Sequence, residues 1–299
     1  MKKLPSNKRE SRLPGGALHT AARLLAAALC WALFACSSAP KAETAEEVGA
    51  DTSNVSSASD ITLSRPPQPE TRPEEDGEDD EFIDYFELGN QCYRQGLFAD
   101  AVDYYTKAIE VEGEFAAAYY NRGLANRRQG NLDKAIADYT SAIRLRADHA
   151  NAYNNRGNTY DAMGSYDQAM ADLNEAIRLK DAFAEAFYNR GMVYHHLGDL
   201  DKAIADYNES LGIQKDADAF NNRGLVYKEK GEPDKAVADY SESIRLKGDN
   251  PEVYYNRGIA YSSLGDSAKA LADMDQALKL NPGYAEAQTL RNQLTGRKN

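Results

Sequence analysis

Apolar residues recur along this chain with a period of 34, and polar residues fill the positions between them. Numbering each period from seven residues before a fixed glycine, the fourth, eleventh and twenty-fourth positions are mostly Tyr, Phe, Leu or Met, as at Tyr153, Tyr160 and Leu173. Small residues hold other places. The eighth position is Gly89, Gly123, Gly157, Gly191, Gly224 and Gly258, and the twentieth is Ala101, Ala135, Ala169, Ala203, Ala236 and Ala270. The twenty-seventh is Ala or Ser throughout. This alternation of large and small predicts two antiparallel helices that approach closely at the small residues. A second glycine at the fifteenth position, from Gly96 to Gly265, marks a place where the chain turns.

The register is visible in one tripeptide. Asn-Arg-Gly stands at 121–123, 155–157, 189–191, 222–224 and 256–258, in steps of 34, 34, 33 and 34 residues. A fixed period of that size means one supersecondary unit repeated, each copy burying its apolar face against its neighbours. Six units follow, at 82–115, 116–149, 150–183, 184–216, 217–250 and 251–284, with a covering helix in 285–299 that carries Leu290 and Leu294. The pattern resembles the tetratricopeptide repeat over about two-thirds of the chain. That resemblance implies an all-α, right-handed superhelical solenoid of six helix-turn-helix repeats plus a C-terminal capping helix.

The chain departs from the family pattern in an orderly way. Before the first glycine the family carries Leu; here Leu88 is followed in the later units by Arg122, Arg156, Arg190, Arg223 and Arg257. The twenty-third position changes with it, from Tyr104 to Asp138, Asp172, Asp206, Asp239 and Asp273. These residues lie nearly opposite in an antiparallel hairpin, so an Arg–Asp clamp is the simple reading and a ligand role for the arginines the alternative. The fourth unit is one residue short and carries Gly212 inside its second helix, where Gly costs about 1 kcal/mol relative to Ala. The segment 210–217 is therefore expected to kink or hinge.

The resemblance implies that the first helix of each unit lines a concave face. Its inward sixth position is Asn121, Asn155, Asn189, Asn222 and Asn256, with Glu87 in the first unit. An amide both donates and accepts, so such a row can satisfy a peptide backbone without reading its sequence. It resembles the asparagine ladder of a glycosyltransferase tetratricopeptide domain that holds extended polypeptide. A constraint within the chain would also keep these residues fixed. Variable inward residues, among them Tyr120, Asn154, Tyr188, His195, Lys228 and Tyr255, are the expected source of selectivity. The family's grip on chaperone C-terminal carboxylates needs Lys at a second or fifth position, and no unit has one.

Before the repeats the composition changes. Residues 1–35 hold six basic side chains and one acidic, a formal +5. The apolar run Leu24–Cys36 is shorter than the roughly 20 residues that span a bilayer, and suits the core of a secretory signal. Leu33-Phe34-Ala35-Cys36 resembles a bacterial lipobox, which implies a lipid on Cys36, although an organellar transit peptide fits the same composition. Residues 37–81 are rich in Ser, Ala, Pro and Glu without periodicity and read as an acidic tether. Ser37 and Ser38 after the cysteine resemble sorting to the outer membrane rather than retention in the inner one.

Net charge is −12, which leaves −17 beyond the basic leader. That balance argues against nucleic acid and is compatible with basic protein or peptide partners. No phosphate loop, nucleophile elbow or Cys–His cluster is present, so neither catalysis, a cofactor nor a metal is expected. His195-His196 is the only histidine pair, and neighbours on a helix point apart, so both are expected on the surface. The sequence therefore reads as an envelope-anchored scaffold for proteins or extended peptides, the alternative being a periplasmic small-molecule binder that serves an envelope transporter.

Overall fold

The computed structural model describes residues 84–296, and these contain thirteen helices and no strand. Cys36 and the expected leader and tether lie outside the described residues. The helices pair in chain order as α1 (Tyr85–Arg94) with α2 (Phe98–Val111), α3 (Ala116–Arg128) with α4 (Leu132–Leu145), and α5 (Ala150–Ala162) with α6 (Tyr166–Leu179). Then come α7 (Ala184–His196) with α8 (Leu200–Ile213), α9 (Ala217–Glu229) with α10 (Pro233–Leu246), and α11 (Pro251–Ser263) with α12 (Ser267–Leu280). A last helix, α13 (Ala285–Thr295), packs on α12. Each pair packs on the next, which makes the chain a solenoid.

Each hairpin closes on its eighth-position glycine. A Cβ on Gly157 would stand 2.9 Å from Leu173 Cγ and 3.2 Å from the Ala169 carbonyl oxygen, so no larger residue fits without displacing the second helix. Tyr105, Tyr139, Tyr207 and Tyr240 fill the same hole in four other units and are fully buried. These twenty-fourth-position knobs behave as the large/small pattern implies. The fifteenth-position glycines do a different job. Gly164 has φ +72°, a left-handed conformation that ends α5 and sends the chain back along α6.

The fourth and eleventh positions are not simple core knobs. In units four to six their rings flank the arginine of their own helix: the Arg257 guanidinium lies 5.7 Å from the centre of Tyr254 and 5.8 Å from that of Tyr261. The ring spacing of three before and four after places both beside the seventh-position side chain. Each arginine forks onto its aspartate sixteen residues on. Arg156 Nε donates to Asp172 Oδ2 at 2.7 Å and Nη2 to Oδ1 at 2.8 Å. Equivalent forks join Arg122 to Asp138, Arg190 to Asp206, Arg223 to Asp239 and Arg257 to Asp273. The clamp expected from sequence is present in all five units.

It also does more than expected. The remaining guanidinium nitrogen reaches the second helix of the preceding unit: Arg122 to Thr106, Arg156 to Thr140 at 2.9 Å, Arg190 to Asn174, Arg223 to Asn208 and Arg257 to Ser241. One side chain thus ties three helices. Unit one carries Leu88 and Tyr104 instead, and no described helix precedes α1 for a third bond. At the other end Arg291 of α13 donates to Asp275 of α12, so the capping helix repeats the inter-unit half of the clamp.

The expected kink near 210–217 is absent. The second helix of unit four runs unbroken from Leu200 to Ile213, fourteen residues like its siblings, with Gly212 inside it. The missing residue is absorbed by the connector, where Asp216 Oδ1 caps α9 by accepting from Ala219 N at 2.9 Å. A connector can shorten without breaking hydrogen bonds that a helix would have to give up.

Asp172 is nearly buried, with 9% of its side chain exposed, so Arg156→Leu strands a desolvated carboxylate. The expected loss is about 3 kcal/mol of unfolding free energy. The double change to Leu and Tyr, as at Leu88 and Tyr104, should lose less than the sum of the singles. Urea unfolding of the two singles and the double measures this, and strict additivity would mean that the two residues do not interact.

Candidate functional site

The first helix of a unit touches the first helix of the next, as α5 does α7 and α7 does α9. Second helices make their neighbouring-unit contacts with first helices instead. Closer approach on one side bends the stack toward it, so the first helices line the inner face.

The asparagine row sits deeper than an exposed ladder would. Asn121 is 1% exposed and Asn189 5%, and Asn155 and Asn256 are equally enclosed. Four of the row donate from their amide nitrogens across the seam with the preceding unit. Asn121 Nδ2 donates to Asn90 Oδ1, Asn155 to the Tyr120 hydroxyl, Asn189 to Asn154 Oδ1 and Asn222 to the Tyr188 hydroxyl, each at 2.9 Å. The constancy of this residue therefore has a source inside the chain. An amide is short enough to fit the seam, and it offers the donor that an oxygen in the preceding unit needs, at the ninth position for Asn90 and the fifth for the others.

Three of the expected selectivity residues meet this row. Tyr120 and Asn154 are buried, and the oxygens of Tyr120, Asn154 and Tyr188 accept from the next unit's asparagine and so join the units. Burial raises the Tyr188 hydroxyl well above its ordinary range, aided by Asp218 and Asp216, which keeps it protonated. His195, Lys228 and Tyr255 are only partly enclosed. Tyr255 stacks against Tyr284 with ring centres 5.1 Å apart. The seam left no clear mark in the sequence because its acceptor alternates between phenol and amide.

His196 lies on the surface as expected, and both rings meet carboxylates of neighbouring units. His196 Nδ1 lies 2.8 Å from Asp161 Oδ1 in unit three, and His195 Nε2 lies 2.9 Å from Glu229 Oε2 in unit five. The two rings are nearly parallel, their centres 6.5 Å apart. Twelfth and thirteenth positions of adjacent units face each other across the inner face, and that stacking turns both rings toward carboxylates. Burial pushes Glu229 up, but the His195 hydrogen bond and charge outweigh it and hold the carboxyl below its ordinary value. Among the described residues no group of three or more His, Cys, Asp or Glu side chains is arranged to hold a metal ion.

A family model described as TPR repeat matches residues 157–198 and 224–265. Two described as Tetratricopeptide repeat match 86–151, and 184–216 with 251–284. This chain belongs to the tetratricopeptide repeat family. No curated protein matches it in sequence. Among solved structures it is similar to the APC/C hetero-tetramer Cut9–Hcn1, at 19% identity and TM-score 0.63 over 70% of this chain. It spans only 42% of that chain. It is similar to YrrB, described as a TPR protein with an unusual peptide-binding site, at 25% identity and TM-score 0.52, covering 63% of this chain and 97% of that one. PilF of Pseudomonas aeruginosa gives 20% identity and TM-score 0.63 over 70% of this chain and 96% of its own. Membership places this tetratricopeptide protein among scaffolds for protein–protein interaction.

Asn189→Ala removes the donor that satisfies Asn154 Oδ1 and should cost about 1–2 kcal/mol, lowering the thermal midpoint. An unchanged midpoint would show that the rung carries no stability.

His149 gives a pH-dependent prediction. It packs against Tyr120 with ring centres 4.7 Å apart, is 2% exposed, and burial lowers its pKa to about 4. The unfolded chain takes up this proton near pH 6.5 while the folded chain does so only near 4. Stability from this residue is therefore intact above pH 6.5 and falls by about 3 kcal/mol as pH drops through that window. His149→Phe, matching Phe115 and Phe183 at the same position, should flatten the fall in urea midpoint between pH 7.5 and 4.5. An equal fall in the variant would remove His149 as its cause.

Proposed function

We propose that this tetratricopeptide protein is an envelope-anchored scaffold whose inner face holds an extended segment of another protein. The observation that carries the reading is the division of labour along the first helices. The seventh position and the aromatic rings flanking it are used up in holding units together, and the sixth is spent on the seams. The second and twelfth positions are left to vary from unit to unit: Asn151, Glu185, Asp218 and Glu252 at one, Asp161, His195, Lys228 and Ser262 at the other. A constant frame carrying a varied polar lining suits a protein segment read along its length. The peptide-binding site ascribed to YrrB is in keeping with this.

Anchoring rests on the N-terminal sequence. A lipid on Cys36, after removal of the apolar run before it, would tether the solenoid to an outer membrane through residues 37–81. Among the described residues no helix is long and apolar enough to cross a membrane. A small-molecule role would want an apolar lining, and the polar, varied residues above do not provide one.

Two measurements on protein from its native host test the two halves. A photocrosslinking residue at Ser262, on the inner face, should capture protein partners that the same residue at Glu110, on an outer second helix, does not; equal capture would overturn the inner-face reading. Labelled fatty acid should be incorporated, and Cys36→Ala should abolish it. Trp31 is the sole tryptophan, so its detection in the mature chain would overturn the cleavage.

A further inference from the structure

Acidic side chains occupy the second position of every first helix in the C-terminal part of the solenoid. Glu185, Asp218, Glu252 and Glu286 stand on α7, α9, α11 and α13, whereas the same position carries Ala117 on α3 and Asn151 on α5. Second and fifth positions lie one helical turn apart, so this row runs beside the fifth-position side chains on the inner face.

Other groups along the row ask for the same chemistry. Asn151 continues it by one unit, is 7% exposed, and its Oδ1 has no hydrogen-bond partner. Asn221, one turn beyond Asp218, is as deeply enclosed, and its Oδ1 is likewise unpartnered. Both orphans are acceptors. In units three and four the corresponding oxygen of Asn154 is satisfied by Asn189, so the open rung at Asn221 and Asn256 is a local departure. Asn256 Nδ2, on the other side of that seam, is also unpartnered. At the end of the row the partly exposed Tyr255 and Tyr284 rings lie beside Glu252 and Glu286. Burial raises the Glu252 carboxyl above its ordinary value, and Lys228 is the cation that opposes this.

We infer that units four to six and the capping helix form a receptor for an extended Lys- or Arg-bearing segment. Its cations lie against the second-position carboxylates and beside the Tyr255–Tyr284 pair. This rests on the inner-face reading above and adds the chemistry of the partner. Carboxylates, orphan amide oxygens and aromatic rings all favour a cationic donor and disfavour an anionic one. The spacing favours a particular register. Adjacent packed helices lie roughly 8–10 Å apart, and three residues of polyproline-II chain advance about 9 Å. A cation at every third residue would meet one carboxylate per unit.

The test uses the full chain and three fluorescent peptides that are identical except for Lys, Gln or Glu at every third residue. Anisotropy at low salt should show the lysine peptide binding most tightly, with affinity falling as salt rises. Combining Asp218→Asn, Glu252→Gln and Glu286→Gln should weaken it about tenfold. A control that removes three charges elsewhere, Glu110→Gln, Glu112→Gln and Glu114→Gln, should leave it unchanged, and circular dichroism of both variants checks the fold. Equal weakening by the two variants, or no weakening by the first, overturns the inference. Tighter binding of the glutamine or glutamate peptide, crosslinked to Ser262 but not Glu110, overturns it while leaving the inner-face reading standing. Failure of all three peptides to bind overturns the inference; the inner-face reading then falls only if capture from Ser262 in the native host fails as well.

Discussion

The forked bond from a seventh-position arginine to the aspartate sixteen residues later is the constraint on which the rest of this solenoid depends. One guanidinium closes its own hairpin and also reaches the previous one, as Arg156 does between Asp172 and Thr140. A planar fork with five donors can serve two partners in fixed directions, which a lysine cannot. The rings before and after it, such as Tyr254 and Tyr261 around Arg257, cover its faces and limit its freedom. Local closure and inter-unit stacking thus become one event, in keeping with a repeat that buries its core only against neighbours. Arg291 continues the device onto the capping helix.

That arrangement leaves the inner face divided. Side chains at the seam, Asn189 on Asn154 and Asn222 on Tyr188, are polar yet satisfied inside the chain. Buried polar groups cost stability unless paired, so a seam of this kind also fixes the register of one unit on the next. Outside the seams this face carries the second-position row and the partly exposed Tyr255 and Tyr284. The His195 and His196 contacts with Glu229 and Asp161 brace the same face across three units.

The fold was legible because it is local and repeated. Glycine at the eighth position and a large side chain at the twenty-fourth are two halves of one contact, and six copies make the pairing plain. The exchange of Leu88 and Tyr104 for Arg and Asp exposed the clamp, since both positions change together. Its third arm was also written in the sequence, as Thr106, Thr140, Asn174, Asn208, Ser241 and Asp275 at the twenty-fifth position, but these read as ordinary polar surface until the helix they face is known.

The sequence by itself determined the helices, their pairing, the number of units and the closing of each hairpin, because those depend on residues within one period. The tertiary structure decided what each polar side chain faces. An asparagine repeated every 34 residues is consistent with a ladder for a ligand or a rung between units, and only the stacking of successive first helices put Asn121, Asn155, Asn189 and Asn222 into the seam. The same stacking turned His195 and His196 onto carboxylates of neighbouring units and left the oxygens of Asn151 and Asn221 without donors. Contacts between units depend on two residues some 34 apart and on the rotation between their helices. Periodicity fixes the spacing, and packing alone fixes the rotation.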